Sequence, residues 1–168
     1  MSQTPKPAKR EIVSASLRLL AMRDMSRIEF ERKLVARDFT PEDIAEAVVW
    51  CEAEGWLDEA RFAEVTARRL GHKYGATRIA QTLKQKGVPS GAVAETLSAM
   101  KDGEMARAQT VLARKFHEPP TSAEDRAKRI RYMQTRGFSF EVIKRAMCAA
   151  GAASAASAAV VDLVEADD

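Results

Sequence analysis

"FERKLVARDFTPEDIAEAV", residues 30–48, reads as the end of one helix, a corner and the start of a second helix. Thr40 suits the cap of that second helix, where its hydroxyl can accept a first-turn N–H, and Pro41 takes the first helical position, where a missing N–H costs nothing. Asp43 at the third position complements the positive end of the helix. Ile44, Ala47, Val48 and Cys51 then recur at the helical period, and Gly55 is the natural stop. Upstream, Ser26 followed three residues later by Glu29 is a capping-box arrangement that opens a helix carrying Ile28, Phe30 and Leu34. An earlier helix is expected from about Glu11 to Met22.

The same pattern returns twice. Residues 79–97 read "IAQTLKQKGVPSGAVAETL" and residues 129–147 read "RIRYMQTRGFSFEVIKRAM", at offsets of 49 and 50 with no internal gap. Leu34, Leu83 and Met133 correspond, as do Phe39, Val88 and Phe138 at the corner, then Ile44, Val93 and Ile143, then Val48, Leu97 and Met147. A base precedes each corner: Arg37, Lys86 and Arg136. Each copy is preceded by a further helix, near 11–23, 59–71 and 104–116. Units this small bury little alone and lean on neighbours. The expected fold is therefore all-α, an elongated, curved array of three tandem three-helix repeats. The boundaries are a flexible arm at 1–10, repeats at 11–57, 58–101 and 102–150, and an Ala-rich acidic tail at 151–168. The corresponding apolar residues above, with Trp56 and Phe62, form the expected packing frame; Trp56 and Leu57 are placed at a junction between repeats, with Asp58 capping the next helix.

Composition agrees with helices. The chain has 168 residues, 46% hydrophobic but only 6% aromatic, with alanine, leucine, valine and methionine supplying most of the apolar mass. Its formal net charge of +3 does not by itself imply a nucleic-acid partner. The distribution says more. Residues 42–60 carry seven acids and no base, residues 61–90 seven bases and one acid, and residues 107–147 ten bases and four acids. Such blocks create surfaces of opposite sign.

The candidate partner- or DNA-binding residues are accordingly Arg68, Arg69, Lys73, Arg78, Lys84 and Lys86 in the second repeat, and Arg126, Lys128, Arg129, Arg131, Arg136, Lys144 and Arg145 in the third. Arg129 and Arg136, seven apart, can share a helix face. The competing readings are a solvated charge run and aliphatic stems that cover repeat junctions. Tyr74, beside Gly75, either packs the corner, stacks on a base or contacts a protein.

Other chemistry is not indicated. His72 and His117 have no partners at metal-ligand spacing, and Cys51 and Cys148 make neither a metal nor a redox pair. No carboxylate pair, nucleophile–base set or GxxxxGK[ST] phosphate loop stands out. A non-enzymatic protein without metal or cofactor is expected. Neither a signal peptide nor a membrane-spanning stretch is visible, which points to a cytoplasmic location.

"EGWLDEARFAE" (54–64) followed by "YGATRIAQTLKQKGV" (74–88) closely resembles the RecX family, and "RAQTVLARKF" (107–116) with "RIRYMQTRGFSFEVIKRAM" extends the likeness into the third repeat. It covers about residues 14–148. The chain departs from the usual pattern in having Trp56 where tyrosine is common, Ala76 where proline follows "YG", and Thr82 where an acid is common. The resemblance implies an all-helical regulator that binds RecA, especially as a filament on single-stranded DNA. It further implies modulation, usually inhibition, of RecA ATP hydrolysis, strand exchange and coprotease activity. Direct DNA contact is expected to be at most weak, and the chain is expected to be a monomer. A general nucleic-acid-binding helical module that acts without RecA is the alternative.

Overall fold

The computed structural model describes residues 9–149. The expected acidic tail at 151–168, and the expected arm up to residue 8, lie outside the described residues. Eight helices run in order: α1 (Arg10–Met22), α2 (Arg27–Val35), α3 (Pro41–Ala53), α4 (Glu59–Gly71), α5 (Ala76–Gln85), α6 (Ser90–Met100), α7 (Glu104–Lys115) and α8 (Ala123–Thr135). A ninth, α9, occupies 140–149, up to the edge of the described region. No strand occurs among the described residues. The fold is all-α and its helices fall into groups of three, as the internal repeat predicts.

The helix starts follow their local chemistry. Thr40 Oγ1 accepts the Asp43 N–H at 3.2 Å, with Pro41 in the first turn. Ser122 caps α8 in the same way through the Asp125 N–H at 3.1 Å, and Asp58 accepts the Arg61 N–H at 2.9 Å. Ser26 accepts the Glu29 N–H at 3.3 Å. The Glu29 carboxylate is engaged by the Arg23 guanidinium, which holds its carboxyl below the ordinary value.

Compactness divides the chain into two units. The first comprises Met1–Ala67 with Gln81–Thr96, the second Arg68–Ala80 with Leu97–Asp168. In the first unit, α1, α2 and α3 pack on one another around Ile12, Leu19, Phe30, Leu34, Val48 and Cys51, all 4% exposed or less. Phe62, Leu83, Val88 and Val93 are buried as well. Burial pushes the Cys51 thiol up to about 11. Trp56 differs from its expected place. It remains 37% exposed and meets Trp50 edge-to-face at 4.8 Å, so the indole covers the end of α3 instead of filling a junction. In the second unit the core is Ala108, Val111, Leu112, Met133, Phe138, Ile143 and Ala146, with Phe116, Tyr132 and Met147 packed against it.

The corner at each repeat is a helix C-terminal motif with a left-handed residue. In the third repeat the Gly137 N–H donates to the Gln134 carbonyl and the Phe138 N–H to the Met133 carbonyl. The second repeat makes the equivalent bonds, from Gly87 to Lys84 and from Val88 to Leu83. These are the two bonds of the Schellman motif, and they turn Val88 and Phe138 back onto the core. The left-handed residue is Gly87 (φ +79°) or Gly137 (φ +81°), but in the first repeat it is Asp38 (φ 62°). The two glycines each lie against a neighbouring helix start.

Candidate functional site

A Cβ built on Gly137 would stand 2.5 Å from the Arg78 backbone nitrogen. One built on Gly75 would stand 2.4 Å from the Gly137 carbonyl oxygen. The corner of the third repeat thus lies directly on the start of α5. Three successive N–H groups there find acceptors outside their own helix. Gly75 donates to the Arg136 carbonyl at 2.9 Å, Ala76 to Glu104 Oε1 at 3.0 Å, and Thr77 to the Gly137 carbonyl at 3.2 Å. A helix start leaves its first N–H groups without intrahelical partners, and here the neighbouring repeat supplies them. Side chains at position 75 or 137 would hold the two backbones apart.

The first unit repeats part of this contact. A Cβ on Gly87 would meet Ile28 Cδ1 at 2.0 Å, so the second corner lies on the start of α2. The Arg27 N–H points to Glu59 Oε1 at 3.4 Å, as Ala76 does to Glu104. Arg27 and Ala76 are equivalent first residues of a repeat's second helix, while Glu59 and Glu104 both open the first helix of the repeat that follows. A first-turn glutamate therefore reaches back to the preceding repeat at both junctions. Arg27 also pairs with Glu31 at 3.0 Å and Glu52 at 3.3 Å. At the first corner the left-handed residue is Asp38, which carries a side chain. Aspartate is among the residues that enter the left-handed region most readily.

In the second unit, this docking brings Arg136 beside Arg78 across 58 positions of sequence. Lys73, exposed, lies on the loop that leads into the same helix start. Arg136 lays its guanidinium over the Tyr132 ring at 4.1 Å, which presents a flat cationic face with a fixed orientation. Lys73, Arg78 and Arg136 thus belong to segments whose backbones meet at the third corner. Arg68 and Arg69 are exposed at the end of α4, Arg126, Lys128 and Arg131 on α8, and Lys144 and Arg145 on α9. In the first unit, Lys84 is exposed and Lys86 holds its ammonium 5.8 Å from the centre of the Phe62 ring. Tyr74 is half-buried.

Arg129 departs from its expected role. Its side chain is only 11% exposed. It donates to Asp125 Oδ2 at 2.8 Å and to the Glu118 carbonyl at 2.6 Å, and it stacks on Phe116 at 4.8 Å. It holds the Asp125 carboxyl below its ordinary value. An arginine committed on three sides ties the 116–122 loop to α8 and has little left to offer a partner. It does not share an exposed face with Arg136. The first signal of this was local, since Asp125 stands four residues earlier on the same helix.

Helix α7, the 116–120 loop and Met147 of α9 border a cleft of about 330 Å³, lined by Leu112, Phe116, His117, Pro119 and Arg129 among others. Among the described residues no group of three His, Cys, Asp or Glu side chains could hold a metal ion, and no helix is long and apolar enough to cross a membrane.

Two family models match the chain: "RecX, second three-helix domain" at residues 58–97 and "RecX, third three-helix domain" at residues 102–147. The regulatory protein RecX of Ralstonia nicotianae is 37% identical over 130 residues, covering 77% of this chain and 82% of that protein. That of Escherichia coli strain SE11 is 34% identical over 155 residues, covering 85% of this chain and 93% of its own length. The crystal structure of RecX from Lactobacillus salivarius superposes with a TM-score of 0.70 at 22% identity, covering 80% of this chain and 90% of that one.

Proposed function

Because this chain belongs to the RecX family, we propose that it regulates RecA by binding the RecA filament on single-stranded DNA. In this reading it lowers RecA ATP hydrolysis, strand exchange and coprotease activity. The match of both family models to consecutive three-helix repeats carries the reading. The role is regulatory and not catalytic: the chain changes what a partner does with ATP.

The basic cluster Lys73, Arg78 and Arg136 is our choice for the contact. Its arginines come from two repeats that are locked together by backbone hydrogen bonds, so their spacing costs little ordering entropy on binding. A partner of negative potential is steered toward such a patch. A chain that grips neighbouring filament subunits would resist the subunit motions that accompany ATP turnover.

The discriminating experiment compares binding to RecA-coated and bare single-stranded DNA at moderate salt. The regulator reading requires clear preference for the coated strand. Equal or tighter binding to bare DNA, with steep salt dependence, would favour a general nucleic-acid-binding module instead.

A further inference from the structure

The cleft of about 330 Å³ bordered by α7, the 116–120 loop and Met147 has a largely apolar lining, in which Leu112, Phe116, Pro119 and Met147 take part. Its volume lies at the lower end of the usual range for binding clefts, about 300–1,000 Å³, and suits a few aliphatic side chains. Arg129 forms part of the wall, but its guanidinium is spent on Asp125 and the Glu118 carbonyl. Lys144, exposed, stands three residues before Met147 on α9 and so beside it on the helix surface. Among the described residues it forms no ion pair. The chain continues from α9 within the same unit. Residues 150–159, AGAASAASAA, are alanine, glycine and serine only. Residues 160–168, VVDLVEADD, then bring four aliphatic side chains larger than alanine, four acids and no base.

We propose that this cleft is the docking site of the chain's own segment 160–168, whose aliphatic side chains enter it while its acids face Lys144. Four observations support that occupant. The first is reach: the ten residues 150–159 span up to about 33–36 Å when extended, enough to return Val160 to a cleft whose wall includes Met147. The second is tethering, since a linked segment within reach acts at an effective concentration of about a millimolar. The third is apolar fit. Val160, Val161, Leu163 and Val164 supply the surface that Leu112 and Phe116 can remove from water, which the alanines and serines before them lack. The fourth is charge. Residues 107–147 carry ten bases against four acids, so four carboxylates meet a field of opposite sign there. The docked acids screen Lys144, which gives the chain an internal cover for one of its exposed bases. The contact goes beyond the regulatory role proposed above, and its test contains no RecA; either reading can fail while the other stands.

The test is a carbon–proton methyl spectrum of the full chain labelled at its methionine methyls. Met147 lines the cleft, and Met25 in the core of the first unit is the internal control. Leu163→Asp/Val164→Asp should shift the Met147 resonance and leave that of Met25 in place. A synthetic peptide of residues 159–168, added to this variant, should return the Met147 resonance toward its parent position in a saturable manner. The same peptide carrying both aspartates should not. Circular dichroism checks that the variant keeps the parent's helicity; if it does not, Leu163→Asp alone is read in its place, with the same expected shift. An identical Met147 resonance in the parent and the folded variant overturns the proposal and leaves the cleft to a separate partner. A parent Met147 resonance that moves with protein concentration would assign the cleft to the tail of a second copy, and also overturns it.

Discussion

Replacing Gly137 by alanine tests the inter-repeat junction, because two separate penalties apply there. At φ +81° an L residue is strained, by about 1–2 kcal/mol. The new Cβ would also lie 2.5 Å from the Arg78 nitrogen and 2.7 Å from its Cβ. The backbone on both sides is held by hydrogen bonds, from Gly75 to Arg136 and from Thr77 to Gly137, so relief requires the helix start and the corner to separate. Overpacking of that kind costs about 1–3 kcal/mol. The expected total is about 2–5 kcal/mol, a large share of the stability of a small domain. Gly55→Ala isolates the first penalty, since Gly55 has φ +70° but nothing within 4 Å of a built Cβ. Gly87→Ala should fall between the two. Its Cβ would meet the end of the Ile28 side chain, which is 46% exposed and can turn aside. Gly91→Ala should stabilise by about 0.4–1 kcal/mol, because Gly91 lies in the first turn of α6 with open space around it. Urea unfolding followed by circular dichroism gives the midpoints and slopes. Equal losses for Gly55→Ala and Gly137→Ala would refute the docking of the third corner on α5.

Arg129→Ala should cost about 1–3 kcal/mol through lost charged hydrogen bonds and a lost stack, whereas Arg131→Ala on the exposed face should stay within about 0.5 kcal/mol; equal melting temperatures would return Arg129 to the surface set. The same pair sets a pH dependence. The Asp125 carboxyl is held below its ordinary value of 3.8, so its contribution is fully present above that value and fades as pH falls through the folded-state value. The gap between parent and Arg129→Ala should narrow in that acid range, and a gap that widens there contradicts the pairing. Cys148 is exposed and should react readily with a disulfide reagent in the native protein. Cys51 is buried with its thiol near 11 and should react only on unfolding, since at pH 8 about one part in a thousand is thiolate even before access is counted. Two rapidly reacting thiols in the folded chain would count against the first core.

Much of the fold was legible because it rests on short-range regularities. Leu34, Leu83 and Met133 recur at one position of a gapless alignment, and all three are fully buried. Thr40 and Ser26 cap the helices that they precede in sequence. The junctions were not legible, because their partners are remote in sequence and partly backbone. Nothing in the helical period shows that the Arg136 carbonyl accepts from Gly75, or that Glu104 reaches Ala76. A trace was present in the corner residues, Asp38 giving way to Gly87 and Gly137, but it has meaning only once the neighbouring backbone is seen. The basic residues were hardest to sort. Charge counting cannot separate Arg129, which is committed internally, from Arg131 two positions later. It also passed over Arg10, Arg18 and Arg37, which border one cleft only after α1 packs beside the first corner.

The most direct measurement is the rate of RecA ATP hydrolysis on single-stranded DNA as the full chain is added at fixed RecA. The parent should lower the rate in a saturable manner. A folded Lys73→Glu/Arg136→Glu variant should need a higher concentration to do so. A rate that stays constant as the parent chain saturates the filament would contradict the account at its centre.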